Sequence, residues 1–227
     1  MRPSSPRPFR SFKVNSFFIA AFNVFAKITA FPIQLACFRT KVYYEDKASQ
    51  SRHIKGGAII ISNHTSIFDY AVYIFVFWTR TLRFQMAEVL FKKKWLSLML
   101  RALGGIFVDR DGHDFGFVAK SQRIIEKGGV VGIFPESRLP KPGEKSPLPF
   151  KTSAAYIALS TGAPIVPVVT NGSYFTKKRA RVLIGKPVFA GEFAKEGASD
   201  KENLQAASDA LREKIIELRK LLDEKAK

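Results

Sequence analysis

Residues 62–69 read Ser-Asn-His-Thr-Ser-Ile-Phe-Asp and place His64 and Asp69 five positions apart, between two apolar runs. A carboxylate that accepts a hydrogen bond from one ring nitrogen of a histidine fixes the tautomer of the ring. The other nitrogen is then free to take a proton from a hydroxyl group. His64 and Asp69 are therefore candidates for a general base and the group that orients it.

The same residues also fit a purely structural interpretation. Ser66-x-x-Asp69 matches a capping box at the start of a helix, and carboxylates are favourable at helix N-termini. His64 would then be an ordinary loop histidine. A nucleophilic triad that uses Ser62 or Ser66 lacks the surrounding G-x-S-x-G elbow. The spacing alone leaves catalysis and helix capping open.

Short apolar runs alternate with helix-length segments from residue 57 onward. Strands are predicted at 58–61, 105–108, 130–134, 165–169 and 182–184, and helices at 66–78, 94–103, 114–127 and 151–161, with a C-terminal helix marked by an apolar stripe from Leu204 to Leu222. This alternation predicts an α/β fold with a largely parallel central sheet flanked by helices. His64 follows a predicted strand, at the sheet edge where open α/β folds bind ligands.

The N-terminal part of the chain differs in composition from the rest. Residues 1–13 form a basic arm, and residues 14–40 contain two uncharged runs, of 13 and 11 residues, on either side of Lys27. Each run is shorter than the roughly 20 residues that a membrane-spanning helix needs. We expect two short helices, broken near Pro32, that form a hairpin dipping into one leaflet. A hairpin packed on the protein's own core is the alternative. Residues 41–227 are assigned to the main domain.

The charge of the chain indicates anionic partners, because 37 Lys and Arg residues outnumber 19 Asp and Glu residues to give a net charge of +18. Two basic clusters stand out, at 92–94 and 177–181. The 21 Phe residues against 6 Tyr residues favour a lipid surface over nucleic acid. Cys37 is the only cysteine, which excludes an intramolecular disulfide and a cysteine-based metal site.

Four sequence blocks resemble those of the glycerolipid acyltransferase family, and most closely its bacterial 1-acyl-sn-glycerol-3-phosphate acyltransferases. Residues 63–69 match the N-H-x4-D motif, and residues 104–110 (GGIFVDR) resemble the G-G-(I/V)-F-(I/V)-x-R block. Residues 134–138 (FPESR) resemble F-P-E-G-T-R, and residues 165–168 (IVPV) resemble the short V-P segment. The blocks follow the family's order between residues 58 and 170.

The resemblance implies roles for individual residues. His64 would be the general base that activates an acceptor hydroxyl, and Asp69 would orient it. Arg110 and Arg138 would bind the acceptor's phosphate, since the planar guanidinium meets phosphate oxygens in pairs. Glu136 and Ser137 belong to the third block, which is one residue shorter here than in the family. Lys151, ahead of a predicted helix, is a further candidate for phosphate binding.

The resemblance implies an O-acyltransferase that forms phosphatidic acid from 1-acyl-sn-glycerol-3-phosphate. Acyl-CoA or acyl-carrier protein would be the co-substrate, and no metal or other cofactor is expected. We expect a peripheral or monotopic enzyme on the cytoplasmic face of the cell membrane, without a nucleic-acid partner. Glycerol 3-phosphate, another lysophospholipid and a lyso-aminolipid remain alternative acceptors. A non-catalytic basic module that binds membranes or nucleic acid is the alternative from a different class.

Overall fold

A central β-sheet organises the chain in the computed structural model, which describes residues 15–48, 50–109 and 115–225. Within these residues, seven strands form one sheet in the order β1-β7-β6-β2-β5-β3-β4, and all neighbours are parallel except β6 and β7. The strands are β1 (Lys41–Tyr44), β2 (Ala58–Ser62), β3 (Leu82–Ala87), β4 (Ile106–Val108), β5 (Val130–Ile133), β6 (Ile165–Thr170) and β7 (Arg181–Ile184). The predicted α/β class with a largely parallel sheet is confirmed.

Burial explains which strands the sequence reveals. Every residue of β2, β5 and β6 is buried, as expected for central strands covered on both faces. The prediction missed β1, whose residues are only partly buried, and β3, in which buried and half-buried residues alternate. Neither has the continuous apolar run by which the central strands were recognised.

Helices cover both faces of the sheet. They are α1 (Ser16–Ile33), α2 (Asp69–Val76), α3 (Lys94–Ala102), α4 (Gly116–Glu126), α5 (Ser153–Thr161) and α6 (Asp200–Lys225). One core joins the sheet to α4, α5 and α6, and the other joins it to α2 and α3. The sheet thus lies between two helical layers, and its carboxyl edge stays open between them.

The N-terminal segment is one helix, and the predicted hairpin is wrong in this respect. The α-helix passes Pro32 without a break and continues as a π-helical turn, Gln34–Phe38, which ends at Arg39 in a left-handed conformation (φ 49°). Proline lacks an amide donor, but here it falls in the last turn of α1, where only one intrahelical bond is lost. The segment Ser16–Phe38, at 23 residues, is long and apolar enough to cross a membrane by length and composition alone.

The polarity of α1 is inverted relative to an ordinary surface helix. Its buried face carries Ile19, Asn23 and Lys27. The Lys27 ammonium group donates to the carbonyl oxygens of Trp78 at 2.7 Å and Arg80 at 2.8 Å, and its burial lowers its pKa to about 8. The outward face is apolar and exposed; it comprises Phe17, Phe18, Val24, Phe25, Ile28, Phe31 and Ile33. Polar contacts therefore tie α1 to the domain, and an apolar surface faces away from it.

Candidate active site

His64 lies two residues beyond β2, at the carboxyl edge of the sheet. Its Nδ1 is 2.9 Å from Oδ2 of Asp69, and its ring stacks on Phe134 with the ring centroids 4.1 Å apart. Phe134 follows β5, the neighbour of β2, so the parallel register brings the first and third sequence blocks together. The imidazole is thus held in its plane by an aromatic ring and at one edge by a carboxylate.

Asp69, the first residue of α2, is fully buried. Its oxygens accept hydrogen bonds from Thr65 N (2.7 Å), Ser66 N (2.9 Å), Thr65 Oγ1 (2.8 Å) and Tyr174 Oη (2.6 Å), in addition to His64 Nδ1. A carboxylate can only accept, so the Nδ1 of His64 carries the proton and Nε2 presents a lone pair. That lone pair gives His64 the capacity to take a proton from a hydroxyl group.

The predicted capping box does not form at the start of α2. The helix begins at Asp69, three residues later than predicted, so its N-cap residue is Phe68, and no side chain caps it. Ser66 N still donates to Asp69 at 2.9 Å, and Ser66 Oγ accepts from Phe68 N at 3.2 Å. These two contacts hold the loop between His64 and α2, and the other contacts of the Asp69 carboxylate are with His64, Thr65 and Tyr174.

Tyr174 is a part of the site that sequence reasoning missed. Its hydroxyl donates to Asp69 and lies 2.9 Å from Thr170 Oγ1, which in turn accepts from Gly172 N at 3.2 Å. Burial, reinforced by the negative charge of Asp69, raises the pKa of Tyr174, so its hydroxyl stays protonated and donates. A tyrosine 105 residues from its aspartate carries no local sequence signal.

The loop after β6 approaches the histidine loop closely. The side-chain amide of Asn63 pairs with the backbone of Thr170, donating to its carbonyl at 3.1 Å and accepting from its N–H at 3.0 Å. At Gly172, where φ is 67°, a Cβ atom would stand 2.7 Å from Thr65 Oγ1. Glycine is required here by both the backbone conformation and the close approach. Asn63, the first letter of the N-H-x4-D block, thus joins the two loops.

Glu136 enters the site as a brace for the backbone. It is 3% exposed, and its two oxygens accept from His64 N at 2.8 Å and Leu148 N at 2.7 Å. Burial raises the pKa of this carboxyl group, and the two N–H donors oppose that shift. Leu148 belongs to the proline-rich loop 139–149, which Arg212 of α6 also holds through carbonyl contacts. The predicted substrate-binding role of Glu136 stays a prediction; its visible contacts fix the histidine loop.

The other predicted residues of the third block lie farther out. Ser137 adopts φ 57°, the left-handed conformation that favours glycine. This conformation favours an alignment of Ser137 with the glycine of the family's block, which would put Arg138 in the threonine's place. Its guanidinium makes two contacts with Glu144, at 2.6 and 2.9 Å, on the exposed side of the loop.

Lys151, a further candidate for phosphate binding, is not brought into the histidine network. Lys151 is exposed, and its backbone N–H donates to Pro135 O at 2.9 Å. Arg110 lies outside the described residues, as do the basic arm at 1–13 and the start of the predicted helix at 114. In the part of the chain that the structure describes, no three His, Cys, Asp or Glu side chains group to hold a metal ion.

Comparisons with known proteins agree with this geometry. A family model described as Acyltransferase matches residues 39–171. The 1-acyl-sn-glycerol-3-phosphate acyltransferase of Bacillus subtilis is 28% identical over 148 residues, 63% of this chain and 71% of the relative. The enzyme of that name from Haemophilus influenzae is 28% identical, over 57% of this chain and 54% of the relative. The human beta form is 31% identical, over 53% of this chain and 45% of the relative. The chain thus spans about half the length of the last two.

A solved structure shares the fold. The crystal structure of the 1-acyl-sn-glycerophosphate acyltransferase PlsC from Thermotoga maritima superposes with a TM-score of 0.57 and 22% identity, over 88% of this chain and 79% of that one. At this identity the likeness shows the fold alone. It places the same mostly parallel sheet and flanking helices in both proteins.

We expect Glu136→Gln to lower the free energy of unfolding by about 1–3 kcal/mol. The carboxylate of Glu136 accepts hydrogen bonds from two backbone N–H groups, and the NH2 group of glutamine would face one of these donors without accepting from it. Glu144→Gln is the matched control: Glu144 is exposed, and exposed ion pairs contribute little. Chemical denaturation in detergent measures both variants. Equal losses of stability in the two would contradict the bracing role of Glu136.

Proposed function

Because this chain belongs to the acyltransferase family, we propose that it transfers a fatty acyl group from acyl-CoA or acyl-carrier protein to 1-acyl-sn-glycerol-3-phosphate, forming phosphatidic acid. The observation that carries the proposal is the pairing of His64 Nδ1 with the buried carboxylate of Asp69. The relatives' names support the choice of acceptor.

In this reaction His64 acts as the general base. Its Nε2 takes the proton of the acceptor's free hydroxyl while the hydroxyl oxygen attacks the thioester carbonyl carbon. The tetrahedral intermediate collapses, the carbon–sulfur bond breaks, and the leaving thiolate receives the proton from the imidazolium. Asp69 stabilises the imidazolium in between and keeps the ring oriented. The acyl group passes directly to the acceptor, without a covalent acyl-enzyme.

Tyr174 is a positioning residue in this proposal. It touches Asp69 and not the reacting atoms, and its hydrogen bond of 2.6 Å holds the carboxylate in the orientation that meets His64. Hydrogen bonds to charged groups contribute about 1.5–3 kcal/mol. Loss of this bond removes one of the five contacts that orient the carboxylate and thereby weakens the control of the histidine ring.

A second candidate function is the same acyl transfer to another lysolipid acceptor. The altered third sequence block, residues 134–138, supports this candidate. Ser137 holds the conformation suited to the family's glycine, so Leu139 falls where the family has its arginine. Arg138, one position earlier, is paired with Glu144. Binding of the acceptor's phosphate by this block therefore needs Arg138 to exchange partners, or falls to Arg110 and Lys151.

The outward face of α1 supports a monotopic attachment to a lipid surface, with the cytoplasmic face of the cell membrane as the proposed location. Lys27 and Asn23 point inward and bond to the domain, so a crossing of the bilayer by α1 would break these contacts. The helix instead lies along the domain with its phenylalanines outward. The acceptor and product are lipids, so an enzyme attached in this way meets both where they reside.

His64→Ala is expected to reduce acyl transfer at least about a hundredfold, because a positioned base contributes that much or more. Purified enzyme is assayed with acyl-CoA and acyl-carrier protein donors against lysophosphatidate, glycerol 3-phosphate and other lysolipids, and unfolding is measured in parallel to show that the fold is intact. Near-normal turnover of the variant would refute the role of His64. Preference of the wild type for another lysolipid would select the second candidate.

Tyr174→Phe is expected to lower turnover about tenfold, the equivalent of one hydrogen bond to a charged group. In an Asp69→Asn background the same substitution is expected to have a much smaller effect, since Tyr174 acts through that carboxylate. Tyr70→Phe is the control, because it removes a hydroxyl on α2 that contacts only Leu103 O, at 3.4 Å, among the described residues. Full additivity of the two substitutions would contradict the positioning role.

Phe25→Glu combined with Ile28→Glu is expected to release most of the protein from mixed phosphatidylcholine–phosphatidylglycerol vesicles, because both side chains lie on the exposed apolar face of α1. Sedimentation with vesicles measures the bound fraction. Leu159→Glu, on α5 in the opposite helical layer, is the control and keeps the binding of the parent. Undiminished binding of the double variant would contradict attachment through α1.

A further inference from the structure

Three exposed apolar side chains lie on the loop between His64 and Asp69 or pack against it. Ile67 and Phe68 fall between His64 and Asp69 in the sequence block and are 67% and 40% exposed. Phe175, next to Tyr174, is 55% exposed and packs edge to face on Phe68 with the ring centroids 4.7 Å apart. We call Ile67, Phe68 and Phe175 the apolar lip.

The backbone holds Phe175 outward against its local preference. Its φ of 56° is uncommon for a bulky residue, because outside glycine the Cβ atom crowds the backbone in this conformation. The Phe175 N–H donates to Cys37 O at 3.0 Å, which fixes this conformation. A phenylalanine retained where glycine would be relaxed points to a use for its ring.

The lip is connected to the N-terminal helix through Phe38. This buried ring, the last residue of the π-helical turn, lies 5.2 Å from the ring of Phe175 and 6.4 Å from that of Phe68, centroid to centroid. Leu35 and Ile33, a few residues earlier, are exposed apolar residues that continue the outward face of α1. The exposed apolar face of α1, which we propose contacts lipid, is therefore connected through Phe38 to the lip.

Exposed cationic residues flank the lip in the chain. Arg39 follows Phe38, and Lys177, Lys178 and Arg179 follow Phe175; the segment 171–191 contains no acidic residue. Arg179 Nε donates to Arg39 O at 3.2 Å, which joins the two basic segments. Apolar side chains flanked by cations match the chemistry of an anionic bilayer surface, which attracts nearby basic side chains.

We propose that the apolar lip inserts into an anionic bilayer and is the entrance through which the lipid acceptor reaches His64 without leaving the membrane. This inference rests on the proposed function. Moving an acyl chain from the bilayer into water is unfavourable for every CH2 group exposed, and lateral entry avoids that exposure. The lip differs in role from α1: α1 keeps the protein on the membrane, and the lip admits the acceptor.

The test compares two presentations of the acceptor. Phe175→Gly removes the ring and also relieves the backbone, and Ile67→Ser removes a second part of the lip while leaving the aromatic packing on Phe38. Turnover is measured with lysophosphatidate in phosphatidylcholine–phosphatidylglycerol vesicles and with a short-chain lysophosphatidate dissolved as monomers. We expect the ratio of vesicle to monomer activity to fall about tenfold in the double variant, with its vesicle binding largely retained through α1. Leu159→Ser is the control and keeps the parent's ratio.

Two outcomes overturn the proposal. An unchanged ratio shows that the lip is no entrance, and an equal loss on both acceptors with an altered acyl-chain preference shows that the lip is a chain-binding surface within the site. Insertion is tested independently of the proposed function, through a fluorophore attached at Ile67→Cys in a Cys37→Ala background. Its emission is expected to shift to the blue on anionic vesicles whether or not the enzyme acylates lysophosphatidate, and the absence of a shift contradicts insertion.

Discussion

A carboxylate with no exposed surface is the constraint on which the rest of this site depends. Burial of an ionised group is costly unless hydrogen bonds replace the lost water, and Asp69 meets that requirement with donors from three sources. The histidine loop supplies backbone and hydroxyl donors, the loop after β6 supplies Tyr174, and His64 supplies its ring N–H. The donors can converge only if β2 and β6 lie side by side and in parallel, as they do. Satisfying one charge therefore fixes two loops, one tautomer and the position of a free ring nitrogen.

The N-terminal helix α1 directs its polar side chains toward the domain and exposes apolar side chains on the opposite face. Lys27 satisfies two carbonyl oxygens of the domain and is itself shielded from solvent. At its far end, Phe38 packs on Tyr174 with the ring centroids 5.5 Å apart, and Tyr174 holds Asp69. The segment proposed to face lipid is thus two contacts away from the carboxylate of Asp69.

Local patterns predicted the central strands and the α/β class, since each depends on residues close together in the chain. The spacing of His64 and Asp69 made them candidates, and the resemblance of four sequence blocks to the family then favoured catalysis. Contacts between residues far apart in the chain could not be predicted from local spacing. Tyr174 reaches Asp69 across 105 residues, and only the folded sheet brings them together. The prediction of an N-terminal hairpin was wrong because Pro32 does not break the helix. A proline in the last turn of a helix removes only one backbone hydrogen bond. The family resemblance names Glu136, but it does not reveal that its carboxylate accepts hydrogen bonds from the backbone N–H groups of His64 and Leu148.

The most direct test of this arrangement is the tautomer of His64, measured by 15N NMR on histidine-labelled protein at a pH where the imidazole is neutral. The chain has three histidines, and His64→Ala identifies the relevant signals. The contact with Asp69 predicts a protonated Nδ1 and an unprotonated Nε2, the form that can accept a proton from a hydroxyl. A proton on Nε2, or a mixture of tautomers like that of free imidazole, would contradict a general base oriented by Asp69.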